Sequence, residues 1–222
     1  KQCYDNLASV PDEKLRQKLT PDYEPGCKRL VMSTTFYPAL QRDNVTLEDS
    51  PIECITPTGV MTENGTHREL DIIVMATGFK AHKWGIDNVY GLDGNRLDES
   101  WQAGKRGYNT VTVPNFPNFF MLVGPNSPTG NLSVITVAET QANYILECIE
   151  HIKSENCAIM PSRDAAAAFQ ADLSHAMRGT SWASGCDSWY LDESGTPTLW
   201  PWTAKQFYKL MRRVNWQDFE QV

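Results

Sequence analysis

An α/β fold is predicted for this 222-residue chain by three of its stretches. In "DIIVMATGFK", Asp71 to Lys80, five of the six residues from Ile72 to Thr77 are apolar. Such a run suits a strand covered on both faces, and Gly78 then permits a sharp turn or a close backbone approach. In "NFFMLVGPN" a second buried strand ends at Gly124-Pro125. The segment "SVITVAETQANYILECIEHI" spaces apolar residues at 134, 138, 142, 145, 149 and 152, close to the helical repeat, and predicts a long helix opening near Ser133.

The remaining elements follow in chain order. "VPDEKLRQKLTPDYEPG" predicts a short helix with Asp12 and Glu13 in its first turn, stopped before Pro21 and followed by a proline-rich loop to Gly26. After "CKRL" come a short strand and a turn of helix through "FYPALQ". "NVTLED", "IECIT" and "TGVMT" are short β-branched segments, and Asn64-Gly65 favours a type I′ hairpin leading into "HRELDIIVMA". From Trp84 to Asn118 the chain reads as a glycine-rich loop. The order strand, Gly-Pro loop, helix N-terminus makes a cradle for a polar ligand, because the first amides of a helix are unpaired donors; an ordinary βα connection has the same appearance. "PSRDAAAAFQADLSHAM" predicts an amphipathic helix capped by Ser162 that buries Phe169, Leu173 and Met177. "SWASGCDSWYLDESGTPTLWPWT" follows, with Trp182, Trp189, Trp200 and Trp202, and "TAKQFYKLMRRV" closes the chain's helices.

Composition, 41% hydrophobic and 21% charged, is that of a globular protein able to bury a core. A formal charge of −7 argues against a general affinity for nucleic acid or anionic lipid, which an excess of Lys and Arg usually holds. The six cysteines, at 3, 27, 54, 148, 157 and 186, form no CxxC pair and predict reduced thiols in a cytoplasmic protein. None has metal-ligand spacing. The apolar runs are too short to cross a bilayer and the N-terminus has no signal-peptide core, so the Asn-x-Ser/Thr triplets at 44, 64 and 131 carry no message. A start at Lys1 suggests a processed chain, a fragment or an incomplete gene model.

Nucleophilic catalysis finds no support: GxSxG is absent, and His67, His82, His151 and His175 stand in unrelated contexts. GxGxxG and Walker sequences are absent too. A Rossmann domain carries its phosphate-binding glycines after its first strand, so Rossmann-like late strands without that loop imply a domain whose front lies outside the chain.

The ordered set "PGCKRLVMSTTFYPALQRDNVTL", "PIECITPTGV", "LDIIVMATGF", "FPNFFMLVGPNSP" and "SWYLDESGTPTLWPW" resembles the C-terminal half of Baeyer-Villiger monooxygenases, class B flavoprotein enzymes, over nearly the whole chain. The resemblance implies a partial two-dinucleotide-binding-domain flavoprotein fold. Residues 1–75 would end the NADP-binding domain, and 76–222 would form the C-terminal part of the FAD-binding domain with its cofactor loop. It further implies FAD and NADPH as cofactors, and a ketone and O2 as substrates. The product would be an ester or lactone, in specialised metabolism. An N- or S-oxygenating relative and a truncated non-catalytic remnant stand as alternatives.

Residue by residue, Ala76-Thr77-Gly78 looks like the family's ATG motif, where the nicotinamide-binding domain returns to the flavin-binding domain. Gly124-Pro125-Asn126 and the helix start near Val134 resemble the strip against the flavin ring, where helix-terminal amides face its pyrimidine edge. Trp189 matches a mobile-loop tryptophan that contacts the nicotinamide, Arg29 the arginine that stabilises the flavin peroxide, and Lys28 its neighbour near the cofactor. The plain alternatives are a solvated Lys28-Arg29 pair and a core aromatic at Trp189. "SPTGNLSVI" and "LDESGTPTLWPW" depart from common family versions, which bears on substrate preference more than on cofactor choice.

Overall fold

The computed structural model describes residues 2–78, 86, 88–130, 132–185, 187–192 and 194–222. Phe79 and Lys80 of the first predicted strand, His82, Trp84, Gly85, Asn131 and Cys186 lie outside the described residues. The chain forms two compact units, one of residues 1–25 and 30–79, the other of 26–29 and 80–222.

The first unit begins with α1 (Gln2–Leu7) and α2 (Glu13–Leu19). The Asp12 carboxylate caps α2 by accepting the amides of Lys14 at 2.8 Å and Leu15 at 3.1 Å, and Pro21 bars its continuation. One turn, α3 (Phe36–Leu40), follows. Then β1 (Ile52–Thr56), β2 (Gly59–Thr62) and β3 (His67–Glu69) pair antiparallel in the order β1-β2-β3. Gly59 is dictated by the β2–β3 pairing, since a Cβ there would lie 1.8 Å from the Arg68 carbonyl oxygen.

Besides the short strand expected after "CKRL", where no strand among the described residues precedes α3, two expectations fail in this unit. The β2–β3 turn is not type I′: Gly65 has a φ of +81°, but Asn64 is not in the left-handed region, and the Gly65 amide donates to the Thr62 carbonyl at 2.8 Å. Asn64 acts through its side chain, whose oxygen accepts the Thr66 amide at 3.0 Å and the Thr62 hydroxyl at 2.8 Å. An Asx-type turn therefore competes successfully with the primed hairpin. The second failure is Asp71–Gly78, which is neither a strand nor buried: Ile72 is 79% and Val74 81% exposed. The sheet ends at Glu69, and no strand among the described residues pairs with the run that follows. An apolar run records what a strand would bury, but a strand forms only where a neighbour supplies hydrogen bonds.

The second unit holds α4 (Leu97–Ser100), α5 (Val134–Glu155), β4 (Ile159–Pro161), α6 (Arg163–Met177), α7 (Ala204–Leu210) and β5 (Phe219–Gln221), with β4 and β5 antiparallel. Its main core joins Val137, Tyr144 and Cys148 of α5 to Val111, Ile159, Trp200, Phe207, Met211 and Val214. A smaller core gathers Leu97, Trp101, Val113, Phe116 and Met121. α5 opens at Ser133 as expected and ends on Asn156 in the left-handed conformation. Its buried face is Val137, Gln141, Tyr144 and Cys148, one step round from the expected stripe, and Val134 at the head of that stripe is 49% exposed.

α6 is capped as predicted, the Ser162 hydroxyl oxygen accepting the Ala165 amide at 3.1 Å, and it buries Leu173 and Met177 while Phe169 packs half-buried on the main core. α7 begins with a capping box of Thr203 and Gln206. "NFFMLVGPN" is not a strand. It runs through turns with Asn118, Val123 and Asn126 at positive φ, and the Met121 amide donates to the Val111 carbonyl at 2.8 Å. The expectation of six reduced thiols fails at Cys27, which is buried and disulfide-bonded, while Cys3, Cys54, Cys148 and Cys157 are free. Close CxxC spacing is the wrong signal here, because every other cysteine lies far from Cys27 in sequence.

Candidate functional site

The second unit brings four segments together: 26–29, the loop 122–130, the start of α5 and the loop 182–199. Gly124 lies so close to the 109–111 turn that a Cβ on it would meet the Thr110 carbonyl oxygen at 2.2 Å. Residues 124–128 are buried. The Asn126 amide donates to the Thr198 carbonyl at 2.8 Å, and its side-chain Nδ2 faces the Leu199 carbonyl at 3.5 Å. Asn126 Oδ1 is buried without a hydrogen-bond partner among the described residues, an acceptor whose desolvation is not repaid.

Arg29 reaches the far end of the same loop, its Nη1 donating to the Thr129 carbonyl at 3.4 Å. No carboxylate among the described residues forms an ion pair with this exposed guanidinium. Segment 26–29 is anchored by buried Cys27 and by the Trp182 indole, whose Nε1 donates to the Gly26 carbonyl at 3.0 Å. Lys28 is exposed beside it.

Trp182 also connects this segment to Trp189. Its ring meets the Tyr190 ring edge-on, centroids 6.3 Å apart, and Tyr190 lies 4.6 Å from the Trp189 ring. Tyr190 is buried whereas Trp189 is 47% exposed, so the core-aromatic alternative for Trp189 is not what the structure holds. The loop beyond it is a small hairpin with a Leu191–Pro197 bridge, organised by the Asp192 carboxylate. Burial raises the pKa of this carboxyl, but the Ser194 hydroxyl and the amides of Thr196, Ser194 and Lys105 outweigh it and hold the group below the usual carboxylate range.

At the start of α5 the Ser133 side chain makes no capping bond and the first turn holds no acidic residue. The first-turn amides of a 22-residue helix thus end at an exposed surface with the positive end of the helix dipole behind them. The exposed donors at the helix start can receive the acceptor atoms of a polar ligand.

One residue of this region escaped the sequence reading. Gln141 is fully buried, accepts the Val123 amide on Oε1 at 2.7 Å, and donates through Nε2 to the hydroxyls of Thr110 at 2.7 Å and Ser127 at 2.9 Å. Tyr144, one turn on, accepts from Asn109 Nδ2 at 3.2 Å, and burial pushes its phenol pKa up. Cys148, a turn further, is pushed up to about 12 by burial, which keeps it an inert thiol. A polar residue among the apolar positions of a helix reads as solvent-facing, so periodicity alone could not find Gln141. Ala76, Thr77 and Gly78 belong to the first unit, where Gly78 has a φ of +89° and open space around it. Its glycine thus meets a positive φ, and the close approach belongs to Gly124.

No family model matches the chain. An uncharacterized monooxygenase of Mycobacterium tuberculosis is 41% identical over 220 residues, which are 98% of this chain and 44% of that protein. A Baeyer-Villiger monooxygenase of Streptomyces coelicolor is 37% identical over 218 residues, 96% of this chain and 42% of that one. Among solved structures, OTEMO in complex with FAD and NADP superposes with a TM-score of 0.87 at 29% identity, covering 99% of this chain and 43% of that one. The fold is therefore part of a flavoprotein monooxygenase. The chain belongs to the Baeyer-Villiger monooxygenase family and spans somewhat less than half the length of the relatives it matches.

Proposed function

We propose that this chain supplies one half of an FAD- and NADPH-dependent monooxygenase that inserts one oxygen atom of O2 beside a ketone carbonyl. A ketone, O2, NADPH and a proton would give an ester or lactone, NADP+ and water. The proposal assigns residues 1–75 to the end of an NADP-binding domain and 76–222 to the C-terminal part of an FAD-binding domain, in a cytoplasmic enzyme of specialised metabolism. The observation that carries it is the convergence of Arg29, the buried 124–128 loop and the uncapped start of α5 within one unit. Relatives named FAD-binding monooxygenase, and neighbours holding FAD and NADP, support the choice of cofactors.

The residues present fit the ring end of a flavin. Its pyrimidine edge carries acceptors, and the exposed first-turn amides of α5 offer complementary donors. When bound, the flavin supplies hydride acceptance and activation of dioxygen. The chain's own contribution is electrostatic and steric. Arg29 keeps a permanent charge and a planar fork of donors at the end of the loop, able to stabilise negative charge that develops on oxygen. Gly124 to Pro128 exclude water behind the ring, and Trp189, exposed just before the hairpin, would contact a nicotinamide. Lys28 adds charge for its phosphate, and Ala76, Thr77 and Gly78 form the crossing between the domains.

The test places this chain in the Streptomyces coelicolor relative in exchange for the matching stretch. Arg29→Ala should leave flavin reduction by NADPH intact and lower ester formation roughly a hundred- to a thousandfold, while reductant is consumed without product. Arg29→Lys should recover little, because an ammonium does not reproduce the fork. Ester formed by Arg29→Ala at the parental rate would overturn the assignment of Arg29. Oxygen delivered only to nitrogen or sulfur would redirect the reaction class, and a reducible chimera that oxygenates nothing would favour a non-catalytic remnant.

A further inference from the structure

The buried amide of Gln141 does more than fill the core. We infer that Gln141 is a positioning residue that fixes the 123–127 loop against the 109–111 turn so that the start of α5 can receive a flavin ring; the ligand in this inference rests on the function proposed above. Its three hydrogen bonds end on Val123, Thr110 and Ser127, the two sides of the loop and the turn it leans on. Both amide hydrogens and the carbonyl oxygen are used, so the side chain has one orientation.

Two of those partners carry backbone strain. Thr110 has a φ of +66° and Val123 of +55°, conformations that β-branched residues rarely adopt and that persist only where surroundings over-determine them. Asn109 and Asn126, at +48° and +65°, extend the strained stretch on each side. Gln141 thus contacts the two positions least able to hold their own shape. An apolar residue at 141 would fill the same volume on the α5 face between Val137 and Tyr144 without desolvating an amide. What the amide adds is register between the turn and the loop. From Ser127 the loop runs on to Thr129, where Arg29 docks, and to Ser133, where the α5 amides begin.

The experiment uses the 222-residue chain with riboflavin as probe, because riboflavin carries the ring without the dinucleotide phosphates. Wild type should quench riboflavin fluorescence saturably. Gln141→Met keeps volume but loses all three bonds, and should weaken riboflavin roughly tenfold or more while unfolding stays cooperative. Ser127→Ala, which removes one bond, should fall between the two and serves where Gln141→Met does not fold. Cys148→Ala destabilises the same helix face without touching the loop, and should leave riboflavin affinity unchanged within about twofold.

Hydrogen exchange supplies the second readout: the Val123 amide should exchange roughly tenfold faster in Gln141→Met, with the C-terminal half of α5 unaffected. Equal riboflavin affinity in wild type and Gln141→Met overturns the inference. So does weakening in Gln141→Met and Cys148→Ala alike, in proportion to lost stability. A wild-type chain that ignores riboflavin overturns the flavin reading and its ligand here, and Val123 exchange then decides whether Gln141 holds the loop.

Discussion

Gly124 and Gly78 separate two reasons for a glycine that the sequence cannot tell apart. Both end apolar runs, yet Gly78 has open space around it and a positive φ, while Gly124 has an ordinary φ and no room for a methyl group. A Cβ at 124 would meet the Thr110 carbonyl oxygen at 2.2 Å and Met121 Cβ at 3.2 Å. Backbone cannot step aside as a flexible side chain does, so the clash must move the 109–111 turn. Gly124→Ala should lower stability by about 1–3 kcal/mol in urea unfolding. Gly179→Ala, at a glycine with nothing within 4 Å and no positive φ, should change it by less than about 0.5 kcal/mol. Equal shifts in the two variants would remove the close approach as the reason for Gly124. The same tertiary dependence hid Gln141, whose partners at 110, 123 and 127 become neighbours only after folding.

Helices were the most legible elements, because a helix is specified by its own few turns. Asp12, Ser133, Ser162 and Thr203 all stand at N-caps, and α5 and α6 open where the sequence places them. The apolar runs at 71–78 and 118–126 read as strands and form none, since a strand is completed by a neighbour that local sequence does not encode. Legibility stops short even for caps, because Ser133 and Ser162 look alike in sequence and differ in structure. The Ser162 hydroxyl accepts the Ala165 amide at 3.1 Å, whereas Ser133 makes no such bond. Ser162→Ala should therefore cost about 1 kcal/mol in thermal or urea unfolding, and Ser133→Ala much less. A full capping loss at Ser133 would mean that the α5 amides are already satisfied and are not held open for a ligand.

At the scale of the whole molecule, the family was legible where the elements were not, because five ordered segments constrain a match far more tightly than any one periodicity. What the match covers is 98% of this chain but 44% of the Mycobacterium tuberculosis relative. The candidate site carries the same division. Ring-edge donors at α5 and a guanidinium at Arg29 lie in the second unit, but no GxGxxG loop occurs in the sequence to hold a pyrophosphate. Most of a dinucleotide's grip comes from such a loop and the helix it opens, so the adenosine diphosphate part of FAD should gain nothing from this chain. The 222-residue chain should accordingly bind FAD about as weakly as riboflavin, purify without a stoichiometric flavin absorption band, and show no stoichiometric NADPH binding by calorimetry. Side-by-side titrations of riboflavin and FAD check this directly. FAD binding more than tenfold tighter, a gain of about 1.4 kcal/mol, would show that the chain builds a phosphate site without the glycine loop.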